Sequence, residues 1–170
     1  MDSNKVRAIL ALVAPKTVRE VRGFFRCVGY YRRFIGNYAK VATPLTELLK
    51  RETEFIWTDR RQGAFELKRA LTTAPILSPP HWEQEFHVTL DAFEWCLGAI
   101  LWQYQEEQKE GPIYYASRQM NSAERNYTTT EREALAVVYT CRKFHHYLLG
   151  YRVVFHMDHN SLISQTYPAE

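Results

Sequence analysis

Three acidic residues, Asp91, Glu133 and Asp158, have local settings that suit metal ligands. Asp91 and Asp158 each end a segment, residues 86–91 and 153–158, in which apolar side chains recur at every second position. This period is typical of a half-buried strand, so each carboxylate falls opposite the apolar stripe at a strand's end. Hard cations such as Mg²⁺ are bound by carboxylate oxygens and water, and they offset the repulsion between clustered acids. The pattern predicts a divalent-metal site.

The third acid lies at the start of a helical pattern, where two glutamates compete for the same role. Thr128 with Glu131 and Thr130 with Glu133 both have the spacing of a capping box. Periodicity does not decide which glutamate points toward the strands, so both remain candidates at this level.

The elements that must position these acids begin with helices. A capping box at Thr17 and Glu20 predicts a helix over residues 18–35. Helical spacing predicts two more helices over residues 42–50 and 59–72, and the prolines of residues 74–80 indicate a linker.

After the linker the apolar period changes from that of a helix to that of a strand. The pattern predicts three strands in an antiparallel meander, then a long helix and a fourth strand: residues 86–91, 97–104, 112–117, 129–149 and 152–157. The chain is therefore predicted to be α+β, with a helical segment over residues 1–80 and a β-β-β-α-β unit over residues 81–170.

Charge is distributed unevenly between these two parts. Residues 1–51 carry eleven Lys and Arg against three Asp and Glu, whereas residues 52–170 carry eleven against sixteen. A basic N-terminal part attracts phosphate backbones, and an acidic C-terminal part suits a metal-dependent site. Four arginines at helical spacing are predicted to bind nucleic acid, with a merely solvated helix face as the alternative: Arg19, Arg22, Arg26 and Arg33.

The remaining composition points to an intracellular globular protein. The three cysteines are far apart in sequence, so no disulfide framework or zinc motif is indicated. The longest apolar run, Ala8 to Ala14, has seven residues and is too short to cross a bilayer. We expect no membrane anchor and a location in the cytoplasm or nucleus; the Arg-rich start leaves mitochondrial import as an alternative.

Several of these segments resemble the ribonuclease H domain of gypsy-type LTR retrotransposon polyproteins. The resemblance rests on Asp91-Ala92, on residues 126–133 (Asn-Tyr-Thr-Thr-Thr-Glu-Arg-Glu) and on residues 158–162 (Asp-His-Asn-Ser-Leu). Upstream, residues 29–35 and 44–50 resemble the thumb and connection segments of the same polyproteins. The polymerase palm has no counterpart here, so reverse transcription by this chain alone is not expected.

The resemblance implies a function and assigns roles within the acidic cluster. It selects Glu133 over Glu131 as the catalytic glutamate. In the family such carboxylates bind two Mg²⁺ ions (or Mn²⁺) and cut RNA paired to DNA. On that pattern Asp91, Glu133 and Asp158 would be both metal ligands and catalytic residues, and an RNA:DNA hybrid would be the substrate.

Two departures from the family pattern weaken the expectation of catalysis. Phe93 stands where the family usually has a small hydroxyl residue, and the chain ends twelve residues after Asp158, before the family's fourth aspartate. We therefore expect an incomplete ribonuclease H-like fold with weak or lost activity. The alternative is a domesticated protein-interaction module without catalysis, which binds a protein partner or a second copy through an exposed sheet edge or the apolar side chains of the long helix.

Overall fold

The computed structural model describes residues 3–73, 77–93, 95–105 and 109–157. Short 3₁₀ turns occur at Arg32–Phe34, Glu66–Arg69 and Glu124–Asn126. The helices are α1 (Ser3–Leu10), α2 (Val18–Gly29), α3 (Tyr38–Glu47), α4 (Asp59–Phe65), α5 (Ala70–Thr73), α6 (Thr129–Lys143) and α7 (His145–Leu148). The strands are β1 (Phe86–Ala92), β2 (Cys96–Tyr104), β3 (Glu110–Gln119) and β4 (Val153–His156).

The five N-terminal helices form a hydrophobic core of their own. It extends from Val6 to Leu71, and its wholly buried centre includes Val21 and Val28 of α2 and Leu45 of α3. Burial of these side chains is what holds such short helices together, because helices of this length are marginal in water by themselves. We refer to this unit as the helical part.

The four strands form one mixed sheet in the order β3-β2-β1-β4. β1, β2 and β3 pair antiparallel as a meander, and β4 returns parallel to β1, with Phe86 opposite Val153. The crossover between β3 and β4 contains α6, which packs on β1 and β2. Both the α+β class and the predicted β-β-β-α-β order are confirmed.

The sheet uses its two faces differently. Phe86, Val88 and Leu90 of β1 lie on the face that α6 and α7 cover, in one cluster with Phe144. The helical part contacts the other face: Ala39 N donates to Ser117 Oγ at 3.0 Å, and Gln119 Nε2 donates to Thr43 Oγ1 at 3.0 Å. A domain boundary near residue 80 stays a prediction, although each part has its own hydrophobic cluster.

The predicted helix over residues 18–35 is wrong at its C-terminal end. α2 stops at Gly29, and the chain turns so that Tyr31 and Ile35 enter the core, where they are 4% and 5% exposed. Glycine is a poor helix former, so the turn costs little at this position. α1 had not been predicted.

The long helix also differs from the prediction for residues 129–149. It breaks at Phe144, whose φ of −103° and ψ of 12° separate α6 from α7. Of the apolar side chains of the long helix that were expected to offer an interaction surface, Phe144 does not, because it is 0% exposed, whereas Val138 is 45% exposed. No helix among the described residues has the length and apolar character needed to cross a bilayer.

Candidate active site

Asp91 is the last but one residue of β1 and is half-buried. It pairs with Gly98 of β2, and the alternation of the strand puts it on the same face as His87 and Thr89. That face is the one the helical part covers. The sequence prediction that Asp91 lies near a strand's end, opposite the apolar stripe, is consistent with this position.

Asn37 of the helical part lies over Gly98, the residue that pairs with Asp91 across the sheet. A Cβ atom built on Gly98 would be 2.9 Å from Asn37 Oδ1 and 3.7 Å from Asp91 Cβ. Glycine at position 98 therefore makes room for the Asn37 amide. The sequence analysis did not predict this contact.

The backbone of Asn37 has a left-handed conformation, with φ 51° and ψ 28°. It is the only non-glycine residue with positive φ in the described part of the chain. Asparagine tolerates this conformation better than most residues, and such strain persists where the surroundings fix it. The neighbouring hydrogen bond from Ala39 N to Ser117 Oγ fixes the start of α3 against β3.

The two candidate glutamates of α6 have different surroundings. Thr128 and Glu131 form the capping box: Thr128 N donates to Glu131 Oε2 at 2.7 Å, and Glu131 N donates to Thr128 Oγ1 at 3.3 Å. The hydrogen bonds from the Thr128 backbone and side chain lower the pKa of the Glu131 carboxyl. Glu131 is exposed and is engaged at the helix end.

Glu133 instead lies on the stripe of α6 that faces the sheet. It is half-buried, and it shares the i, i+3, i+7 positions with Ala136 and Thr140, which are 1% and 0% exposed. This places Glu133 at the N-terminal end of the packed helix face. The geometry thus distinguishes the two glutamates, which the capping pattern alone did not.

The third predicted ligand, Asp158, lies outside the described residues. β4 runs beside β1, with Thr89 opposite His156, and the description ends at Met157. In the described ranges, no group of three His, Cys, Asp or Glu side chains is placed to hold a metal ion. Asp91 and Glu133 have the hard oxygen donors that Mg²⁺ prefers. A site formed by Asp91, Glu133 and Asp158 remains a prediction.

Phe93, the bulky residue after Asp91, packs against the helical part. The Lys40 Nζ atom lies 3.2 Å from the centre of the Phe93 ring, which is a cation–π contact. The ring is half-buried. Phe93 therefore fixes a cation of α3 close to the end of β1.

The predicted arginine stripe is divided between two elements. Arg19, Arg22 and Arg26 are exposed along α2, on the side away from buried Val21. Arg33 belongs to the 3₁₀ turn after α2, where its guanidinium carbon lies 5.0 Å from the Phe34 ring centre. Three of the four arginines therefore share one helix face.

Comparison with known families matches the chain to reverse-transcriptase proteins. The sequence profile described as "RNase H-like domain found in reverse transcriptase" matches residues 57–155. The Pol polyprotein of transposon 297 from Drosophila melanogaster is 41% identical over 161 residues, which is 93% of this chain and 15% of that protein. The polyprotein of transposon Tf2-3 from Schizosaccharomyces pombe is 31% identical over 160 residues, 92% of this chain and 12% of that protein. The chain thus spans less than a fifth of the length of these relatives.

Solved structures show the same fold at low sequence identity. The dRH form of foamy viral protease-reverse transcriptase bound to double-stranded DNA superposes with a TM-score of 0.76 at 21% identity, covering 96% of this chain and 29% of that chain. The same enzyme with an RNA/DNA hybrid gives a TM-score of 0.75 at 21% identity, over 92% of this chain and 21% of that chain. The chain is similar to part of retrotransposon Pol proteins, and it belongs to the family of RNase H-like domains found in reverse transcriptases.

Proposed function

We propose that this chain binds RNA:DNA hybrids and hydrolyses their RNA strand at a metal site formed by Asp91, Glu133 and Asp158. The observation that carries the proposal is the separation of the two glutamates. The capping box engages Glu131 at the exposed helix end, while Glu133 lies on the packed stripe of α6, which contacts β1 from the face opposite to that of the Asp91 side chain. A metal site would therefore join the two carboxylates around the end of β1.

The donor set determines which cofactor is proposed. Asp91 and Glu133 supply carboxylate oxygens from β1 and α6, and the sequence predicts Asp158 as the third ligand. Mg²⁺, when bound, supplies a water with a lowered pKa and stabilises charge on the leaving oxygen. The residues of this chain would hold the ion and orient the phosphate backbone.

Substrate binding is assigned to the basic surface of α2. Arg19, Arg22 and Arg26 are exposed on one helix face, and guanidinium groups bind phosphate oxygens in a bidentate way. The relatives bound to double-stranded DNA and to an RNA/DNA hybrid share this fold. This supports nucleic acid as the partner.

The proposal is tested by cleavage of a labelled RNA:DNA hybrid with Mg²⁺ or Mn²⁺, with a chelator as the blank. We expect metal-dependent cleavage that Asp91→Asn abolishes. Glu52→Gln, which removes an exposed carboxylate in the helical part, is the matched control and should cleave at the wild-type rate. A wild-type chain that is folded, binds the hybrid and does not cleave it with either metal would refute the assignment.

A second candidate function, a protein-interaction module, is favoured by the position of β4. This strand is the last in the order of the described sheet; Phe155 within it is 37% exposed, and Tyr151 just before it is 39% exposed. An edge strand offers backbone groups for pairing with another chain. This function predicts a dimer by light scattering that Phe155→Glu dissociates; a monomer at every concentration would argue against self-association.

A further inference from the structure

A cavity of about 610 Å³ lies between α3 of the helical part and the end of the sheet that carries Asp91. We call it the junction cavity. Its floor includes Cys96, which is 4% exposed, and Gln119, whose side-chain amide donates to the hydroxyls of Thr43 and Thr46 at 3.0 Å and 2.8 Å. Its volume falls in the range of about 300–1,000 Å³ that is usual for small-ligand sites, enough for a nucleotide.

Positive charge dominates the lining of the junction cavity. Four of its charged side chains are cations, and Glu47 is the acid among them: the cations are Lys40, Lys50, Arg60 and Arg125. None of the four forms an ion pair with a residue that the structure describes. Among the described residues, no carboxylate in ion-pair contact neutralises these four cations, so we expect the cavity to attract anions.

The cations come from both sides of the cavity. Lys40 and Lys50 belong to the helical part, whereas Arg125 precedes α6. Burial raises the pKa of the Cys96 thiol, and the positive charges of Arg125 and Lys40 oppose that rise. Both cations therefore lie close enough to influence Cys96 electrostatically. Lys50 and Arg60 are exposed at the rim. This spread of charge suits a chain of phosphates better than a single one.

Aromatic rings occupy the same cavity. Trp95 is 49% exposed, and the Arg125 guanidinium carbon lies 4.8 Å from its ring centre. Met120 N donates to Trp95 O at 2.8 Å, so the backbone that carries the ring is fixed to the end of β3. A half-exposed indole beside cations is the combination that stacks bases in single-strand-binding proteins.

We propose that the junction cavity binds a segment of single-stranded nucleic acid, with one base stacked on Trp95 and the backbone phosphates contacted by Lys50 and Arg60. The site lies within two residues of Asp91, at Phe93, and so would hold a strand entering or leaving the proposed active site. The inference rests on the proposed function only for its biological meaning, because this binding needs neither metal nor Asp91.

The test is fluorescence anisotropy of a labelled oligothymidine of about eight nucleotides, in buffer with a chelator. We expect Trp95→Ala to weaken binding about tenfold or more and Trp95→Phe to restore most of it, since the phenyl ring retains a stacking face. An abasic oligomer of equal length should bind the wild type as weakly as oligothymidine binds Trp95→Ala.

Phosphate contacts are tested by the salt dependence of the same binding. Lys50→Gln with Arg60→Gln should reduce the slope of log K against log salt by about 1.4, because each phosphate contact to a single strand contributes about 0.7. The matched control, Arg7→Gln with Arg142→Gln, removes two exposed cations outside the cavity and should leave the slope unchanged. Circular dichroism establishes that each variant is folded.

Three results would overturn the proposal. Equal affinity of Trp95→Ala and the wild type would exclude stacking at this site. Thymidine monophosphate binding as tightly as the oligomer would indicate a site for a free nucleotide, and competition by polyglutamate at equal charge would indicate an acidic protein partner. Because Asp91→Asn should bind oligothymidine like the wild type, failure of hybrid cleavage and failure of this binding can be told apart.

Discussion

Substitution of Gly98 tests how the helical part is fitted against the strand of Asp91. In Gly98→Ala the new Cβ would lie 2.9 Å from Asn37 Oδ1, closer than real Cβ contacts. The other close atoms, the Asp91 carbonyl oxygen and Cβ, would be at ordinary distances of 3.5 Å and 3.7 Å. The clash is therefore with a single side-chain oxygen of the helical part.

The cost follows from how far the Asn37 amide must turn away from Gly98, because the backbone that carries this amide is held in place. Its backbone is left-handed at the start of α3, and Ala39 N is bound to Ser117 Oγ. Overpacking of this kind costs about 1–3 kcal/mol, and replacing glycine returns about 0.4–1 kcal/mol by restricting the unfolded chain. We expect Gly98→Ala to lower the free energy of unfolding by about 1–2 kcal/mol.

The assay is urea unfolding of a double-mutant cycle with Asn37→Gly. Glycine adopts the left-handed backbone without strain and removes the opposing amide. Gly98→Ala should be nearly neutral or slightly stabilising in the Asn37→Gly background, which gives a coupling energy of about 1 kcal/mol or more. Equal destabilisation by Gly98→Ala in both backgrounds would refute the contact between these two residues.

Three further predictions concern stability. Burial lowers the pKa of His87 below 6.5, and its Nδ1 lies 3.0 Å from His156 Nε2, with Glu85 and Glu110 also nearby. The unfolded chain then binds more protons than the folded chain, so the free energy of unfolding should be at its full value above about pH 6.5 and should fall as the pH decreases toward the folded-state pKa. Urea midpoints measured across this pH range should fall less in His87→Gln than in the wild type. Gln103 is 1% exposed and forms two hydrogen bonds of 2.9 Å with the backbone of His81. Gln103→Leu should lower the free energy of unfolding in urea by about 1–3 kcal/mol, because it leaves those backbone groups unpaired; an unchanged midpoint would contradict this. Thr128→Ala should lower Tm more than Thr130→Ala, because Thr128 is the observed N-cap; the reverse order would mean that the other capping box forms in solution.

The sheet was predictable from the sequence because its strands carry a clear two-residue apolar period. Phe86, Val88 and Leu90 recur at that period and are all buried on one face. The order of elements then followed from the long helical pattern before residue 152. These features depend on local sequence, and the structure retains them.

The helical part was less predictable because tertiary contacts decide where its helices end. α2 stops at Gly29 since Tyr31 and Ile35 are drawn into the core, and helical spacing alone gave no sign of this. The contact of Asn37 with Gly98 and the junction cavity depend on how α3 docks on β2 and β3. No spacing rule connects residues so far apart in sequence.

The choice between the two glutamates is the central claim, and paired substitutions test it most directly. Glu133→Gln and Glu131→Gln remove the same charge two residues apart on α6, and glutamine at position 131 still permits a capping box. The account predicts that metal-dependent cleavage of an RNA:DNA hybrid is lost in Glu133→Gln and retained in Glu131→Gln. Retained cleavage in Glu133→Gln, or loss only in Glu131→Gln, would contradict it.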